Sequence, residues 1–206
     1  MMTFMLDADF EVSATMLDDS RLGKQRLEAK QILDAIHSIQ SGNPKKGWIN
    51  HPCTKMWSDY VPALKFYANC IIKEWIKRGK QNNMQIYKED SKVVFPWWTS
   101  WRRLHHSHRA MLLRKAPLWY TGKFEVDSDH MKFGYIWPSK ITEAMKDDPL
   151  ETITAPIPEN LKPGIVRFCT AILVSGKSKG QECGRLLKES KKEISMYCGV
   201  HKNKKI

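Results

Sequence analysis

The chain reads as mainly α: a compact helical domain followed by a small basic module. Three observations carry that expectation. Long stretches place apolar residues at three- and four-residue steps, the period of a helix with one buried face. Gly and Pro clusters, rather than the two-residue alternation of strands, mark where those stretches end. The composition then shifts near residue 160, after which 11 Lys or Arg stand against 3 Asp or Glu. The expected organisation is a helical domain over residues 1–140, a linker rich in Pro, Asp and Glu over 141–161, and a basic module over 162–206.

Residues 1–12 predict a short extended start through Thr3-Phe4-Met5-Leu6 and then a polar turn. The first helix follows and runs to about Ile39. Leu22, Ala29, Leu33 and Ile36 form its apolar stripe, and Arg21, Lys24, Gln25 and Glu28 recur at the same steps as a polar stripe, with Arg26 at its edge. Asp18 or Ser20 can cap it, because the first N–H groups of a helix lack partners. Ser41-Gly42-Asn43-Pro44 stops it. A second helical stretch opens at His51-Pro52, where proline suits a first turn. It continues, in one piece or restarted near Pro62, to Arg78-Gly79. The aromatic segment Phe95-Pro96-Trp97-Trp98 is expected to be partly exposed. A third helix spans Trp101 to Lys115, ended by Pro117, and residues 133–138 close the domain with aromatic side chains. Within the linker, a helical turn is expected near Thr142–Lys146.

The net charge of +12, with a pI near 9.5, points to nucleic acid or an anionic surface as partner. The first residues include Asp7, Asp9 and Glu11 and no long apolar run, and nothing approaches a membrane helix. An intracellular, monomeric protein without a membrane partner is expected. Five cysteines, an odd number, argue against a disulfide framework.

Three polar constellations carry candidate chemistry. Glu28 projects from the first helix among Arg21, Lys24 and Arg26. One carboxylate beside several cations suits a site that binds a polyanion while handling protons or a cationic intermediate; a solvated face with i,i+4 ion pairs has the same pattern. His51, His105, His106 and His108 cluster in two segments and, with the interleaved Arg102, Arg103 and Arg109, are candidates for phosphate or substrate contact. Core histidines and a metal-dependent nuclease are the competing readings. In the tail, Cys169, Cys183, Cys198 and His201 follow Cys-x13-Cys-x14-Cys-x2-His. Three thiolates and an imidazole can close a tetrahedral structural zinc site, a staple for a segment too short to bury much core. The expected architecture is therefore a helical domain with a zinc-stapled module.

Leu17-Asp18, the run Arg21-Leu22-Gly23-Lys24-Gln25-Arg26-Leu27-Glu28-Ala29, Asn50-His51-Pro52, Met56-Trp57 and Glu74-Trp75 with Arg78-Gly79 form an ordered series. With His105-x2-His108-Arg109 and Leu112-Leu113-Arg114-Lys115, Pro117, Trp119-Tyr120 and Tyr135-Ile136-Trp137-Pro138, they resemble the pyrimidine-dimer DNA glycosylase family of the endonuclease V type, and its bacterial and viral branch, over about residues 1–138. The resemblance implies an all-α fold that binds kinked duplex DNA and flips a nucleotide out. It implies an N-terminal α-amino nucleophile, a supporting glutamate that maps to Glu28, and phosphate or substrate contacts at Arg21, Lys24 and Arg26. Gln25, His51, Arg102, His105, His108 and Arg109 complete the expected DNA contacts. The start departs from the family pattern. Met1-Met2-Thr3 leaves open a nucleophile at Thr3 after trimming, at Met1 or Met2, or no amine at all, with Glu28 activating water. The function expected is a DNA glycosylase, with or without AP-lyase activity, that excises a damaged or modified pyrimidine without a catalytic cofactor. The rivals are a non-catalytic DNA-binding protein on the same fold and a metal-dependent nuclease.

Overall fold

The computed structural model describes residues 1–44 and 47–161. The module expected at 162–206, with Cys169, Cys183, Cys198 and His201, lies outside them. The chain divides into two compact units, Met1–Pro158 and Glu159–Ile206. Of the second, the described part is the single 3-10 turn Glu159–Leu161. Among the described residues no helix is long and apolar enough to cross a membrane.

In the first unit an extended segment leads into helix α1, Phe10–Met16, which the sequence reading did not anticipate. The Asp9 carboxylate starts it by accepting the Glu11 and Val12 N–H groups at 2.7 and 3.3 Å. Phe10 anchors it, packing against Trp57, Phe66, Tyr67 and Phe95 with ring centroids 5.4–6.2 Å apart.

Helix α2, Asp19–Gln40, is the long element of the fold. Of the two candidate caps, Asp18 acts: it accepts the Arg21 N–H at 3.0 Å. The apolar stripe Leu22, Ala29, Leu33 and Ile36 is buried as expected. It packs chiefly on α4, Val61–Lys77. Gly23 permits a close approach, since a Cβ there would lie 2.9 Å from the Trp75 ring. The second helical stretch is two helices. Helix α3, Pro52–Trp57, is capped by His51, whose Nδ1 accepts the Cys53 N–H at 3.1 Å. The chain breaks at Ser58–Tyr60 before α4 begins. Arg78, at the end of α4, ties it to the α1–α2 junction by donating to Leu17 O at 2.8 Å and Asp19 at 3.0 Å.

Trp98 is buried, its ring 4.8 Å from that of Trp57, while Phe95 in the same segment is exposed. Helix α5, Arg102–Lys115, and the short α6, Pro117–Tyr120, follow. Tyr120 reaches back to the start of α2: its hydroxyl donates to Asp18 Oδ2 at 2.5 Å and accepts the Asp18 N–H at 3.1 Å.

Residues 141–158 are not a linker. They pack on the helical unit, with Ile141 and Ile153 buried. The turn expected near Thr142–Lys146 is the 3-10 turn Glu143–Met145, and a short α7 covers Leu150–Ile153. Ile136 and Thr154 form an antiparallel bridge, flanked by Gly134 N–H to Ala155 O at 3.0 Å and Ala155 N–H to Tyr135 O at 2.8 Å. The reason is steric as well as apolar. Gly134 has no side chain, so Ala155 and Pro156 close over it; a Cβ would meet their carbonyl oxygens at 2.5 and 2.6 Å. Polar composition alone suggested a solvated connector, whereas two isoleucines and one glycine hold the segment down.

Candidate active site

The site begins with the polar stripe of α2. Gln25, one turn before Glu28, is buried and uses both ends of its amide. Its Nε2 donates to Met2 O at 2.6 Å and to Glu28 Oε2 at 2.8 Å. Its Oε1 accepts the Phe4 N–H at 2.9 Å and the Tyr67 hydroxyl at 2.7 Å. An amide has two donor and two acceptor positions, and all are filled. Gln25 thus straps residues 2–4 along α2 and holds one oxygen of Glu28.

That strap brings the start of the chain to the carboxylate. Met2 N–H donates to Glu28 Oε2 at 3.3 Å, and the Met1 nitrogen lies 3.9 Å from Oε1. Lys24 Nζ lies 3.7 Å from the same Oε1. Glu28 therefore faces two amine nitrogens on one oxygen, while the other is fixed by hydrogen bonds. Oε1 borders a cleft of about 440 Å³ lined also by Arg21, Lys115, Tyr135 and Trp137. Arg21 is held in place by Asp18 at 2.7 Å. Burial pushes the Asp18 carboxyl up, but hydrogen bonds from Tyr120 and Arg21 outweigh it and hold the group below its ordinary range.

Lys115, in the last turn of α5, enters the same cleft. Its Nζ lies 5.5 Å from the ring centre of Phe4 and 5.3 Å from that of Tyr135. Burial, and next the charge of Arg21, push its pKa down to about 8, against an opposing pull from Glu28. A larger cleft of about 530 Å³ lies beside Trp119 and Lys123. Its carboxylate, Asp19, is engaged by Arg78 at 3.0 Å and Lys80 at 2.7 Å, which leaves little for acid–base work there. Among the described residues no group of His, Cys, Asp and Glu could hold a metal ion.

The structure thus brings together Arg21, Lys24, Gln25 and Glu28 of the expected residues, and separates the others. Arg26 points away from the cleft; its guanidinium lies 4.1 Å from the Trp75 ring centre and donates to Asn82 at 2.8 Å. Thr3 is buried, and its hydroxyl accepts the Trp57 indole N–H at 2.9 Å. His51 stands at the cleft margin, its ring 5.6 Å from that of Trp137. Burial, and then the amine at the chain start, lower its pKa.

The α5 residues expected to touch DNA mostly serve the interior. His108 is fully buried, its Nδ1 accepts the Met5 N–H at 2.9 Å, and burial drives its pKa down to about 3. His105 Nε2 donates to Thr99 O at 2.8 Å. Arg109 Nε donates to Leu6 O at 2.7 Å. Arg102 keeps an exposed side chain, with its Nε donating to His106 at 3.2 Å. His105, His108 and Arg109 each bond a backbone atom of the extended start or of the turn before α5, and Arg109 keeps its terminal guanidinium nitrogens partly exposed. Lys115, Tyr135 and Trp137 were missed as site residues. The aromatic run at 133–138 was the available signal for the last two, and the block Leu112-Leu113-Arg114-Lys115 in the series of motifs was the signal for the first.

A buried strap, a carboxylate and amine nitrogens in a basic cleft of a helical protein suit binding of an anionic partner and proton transfer beside a nucleophilic nitrogen. A family model described as pyrimidine dimer DNA glycosylase matches residues 1–88, so the family likeness read from the motifs is shown over that stretch. The matched residues include the strap, α2 with Glu28, and His51; α5 with Lys115 lies beyond them. No curated protein and no solved structure matches the chain. The family match supports a DNA-repair glycosylase role in general terms.

Proposed function

We propose that this chain is a DNA glycosylase that takes a damaged or modified pyrimidine nucleotide, flipped out of duplex DNA, into the Glu28 cleft. The observation that carries the reading is the carboxylate of Glu28 held by Gln25 and set 3.9 Å from the Met1 nitrogen inside a basic cleft. Arg21 and Lys24 neutralise phosphates at its mouth. A neutral amine at the chain start attacks the anomeric carbon; the bond from that carbon to the base nitrogen breaks, and the base leaves with a proton. Glu28 stabilises the positive charge that develops on the sugar and relays the proton. The C1′–O4′ bond of the sugar then breaks, O4′ taking a proton, and the resulting imine permits β-elimination, the AP-lyase step: the C2′ proton passes to Glu28 and the 3′ phosphate departs.

Glu28→Gln tests this reading on ultraviolet-irradiated duplex DNA. Base release is expected to fall by about 10²-fold or more, the scale of a lost proton-transfer group, while DNA binding persists. Full activity in the variant removes Glu28 from the mechanism. Binding without base release in the unmodified protein favours the non-catalytic rival.

A further inference from the structure

The cations of the cleft differ in how they are held. Arg21 is paired with Asp18 at 2.7 Å, and Lys24 lies 3.7 Å from Glu28. Lys115 has no hydrogen-bond or carboxylate partner among the described residues; its nitrogen sits between the rings of Phe4 and Tyr135 on the cleft wall. We propose that Lys115 is a second imine-forming amine of this cleft, attacking the sugar aldehyde of an abasic site independently of the amine at the start of the chain. The inference rests on the glycosylase reading for the arrival of an abasic sugar in the cleft.

The surroundings of Lys115 favour a nucleophile over a phosphate anchor. A lysine that grips backbone phosphate keeps its ammonium in water and its charge intact. Here burial works against the charged form, with Arg21 adding like-charge repulsion, which together outweigh the attraction of the Phe4 and Tyr135 ring faces and of Glu28 for an ammonium. With its pKa pushed down to about 8, about a tenth of the side chain is neutral at pH 7. The long methylene stem also gives Nζ reach, whereas residues 2–4 are strapped to α2 through Gln25.

The step balances without an external oxidant or reductant. Neutral Nζ adds to the C1′ aldehyde; the carbonyl oxygen takes up protons and leaves as water, giving a protonated imine. Glu28, in the same cleft, removes a C2′ proton. The electron pair forms the C2′–C3′ double bond and the 3′ phosphate departs. Water then hydrolyses the imine and restores the lysine.

The test incubates the full chain with duplex DNA carrying one abasic site in the presence of borohydride, then maps the reduced adduct by peptide mass spectrometry. An adduct on Lys115 is expected. Its yield should rise as pH passes through about 8 and the amine loses its proton. Lys115→Arg, which keeps the charge and most of the stem, should lose that adduct and cut abasic DNA about tenfold more slowly or worse. An unchanged melting temperature confirms that the variant is folded. An adduct confined to the first residue, with Lys115→Arg cutting at the unmodified rate, overturns the proposal, as does the absence of any adduct. Base release from irradiated duplex, measured in parallel, separates the two levels. Release that persists without a Lys115 adduct leaves the glycosylase reading standing without Lys115, whereas the absence of both release and adduct removes both.

Discussion

Helices α2 and α5 both bury polar side chains against the extended start of the chain, yet to different ends. On α5, His108 accepts Met5 N–H at 2.9 Å, Arg109 donates to Leu6 O at 2.7 Å, and His105 donates to Thr99 O at 2.8 Å. These partners are backbone atoms that do not leave. On α2, Gln25 fixes one oxygen of Glu28, and the other meets the nitrogens of Met1 and Lys24 at 3.9 and 3.7 Å, beside an open cleft. Backbone-bound polar groups set position, because their removal leaves a buried amide orphaned. A carboxylate whose neighbours are amines at a cleft can exchange them for substrate.

Three substitutions can break or sharpen this comparison. The largest stability effect is expected for His108→Ala. It empties space beside the rings of Phe4 and Tyr135 and orphans the Met5 N–H, a loss of about 3 kcal/mol in denaturant melts. If base release by the folded fraction collapses while stability holds, His108 belongs to the chemistry after all. Tyr120→Phe comes next, at about 1–2 kcal/mol, because two hydrogen bonds with Asp18 vanish. Its pH dependence has a definite sign. The folded carboxyl is held below its ordinary 3.8, so its contribution is present above that value and fades as pH falls through the folded one. The gap between the two proteins should therefore narrow in acid, and a gap that widens there refutes the assignment to Asp18. Arg26→Met is the smallest, about 1 kcal/mol for a guanidinium lifted off Trp75. A loss of base release beyond that destabilisation would extend the active face of α2 to the side that packs on α4.

Much of this arrangement is legible in the residues. The three- and four-residue period of α2 placed Leu22, Ala29, Leu33 and Ile36 inside and drew Glu28, Lys24 and Arg21 onto one side, as observed. Periodicity assigns a face but not what covers it. Gln25 therefore read as a DNA contact, when the returning segment at Met2–Phe4 and the hydroxyl of Tyr67 enclose it. Helix α1 was invisible because seven residues are too few for a stripe to register; its cap, Asp9, was a local signal left unread. Lys115 reads by itself as a basic residue in a last helical turn, where the helix dipole favours one. Only long-range packing by Phe4 and Tyr135 turns it toward the cleft.

The closure at Gly134 carries a consequence for how this protein tolerates change. With carbonyl oxygens of Ala155 and Pro156 at 2.5 and 2.6 Å from where a Cβ would stand, no other residue fits without moving backbone. In a saturation library position 134 would thus be as depleted as position 28, though no bond is made or broken there. Mutational sensitivity alone would rank a hinge of packing beside the seat of the chemistry, and only an assay that counts product per folded molecule would tell the two apart.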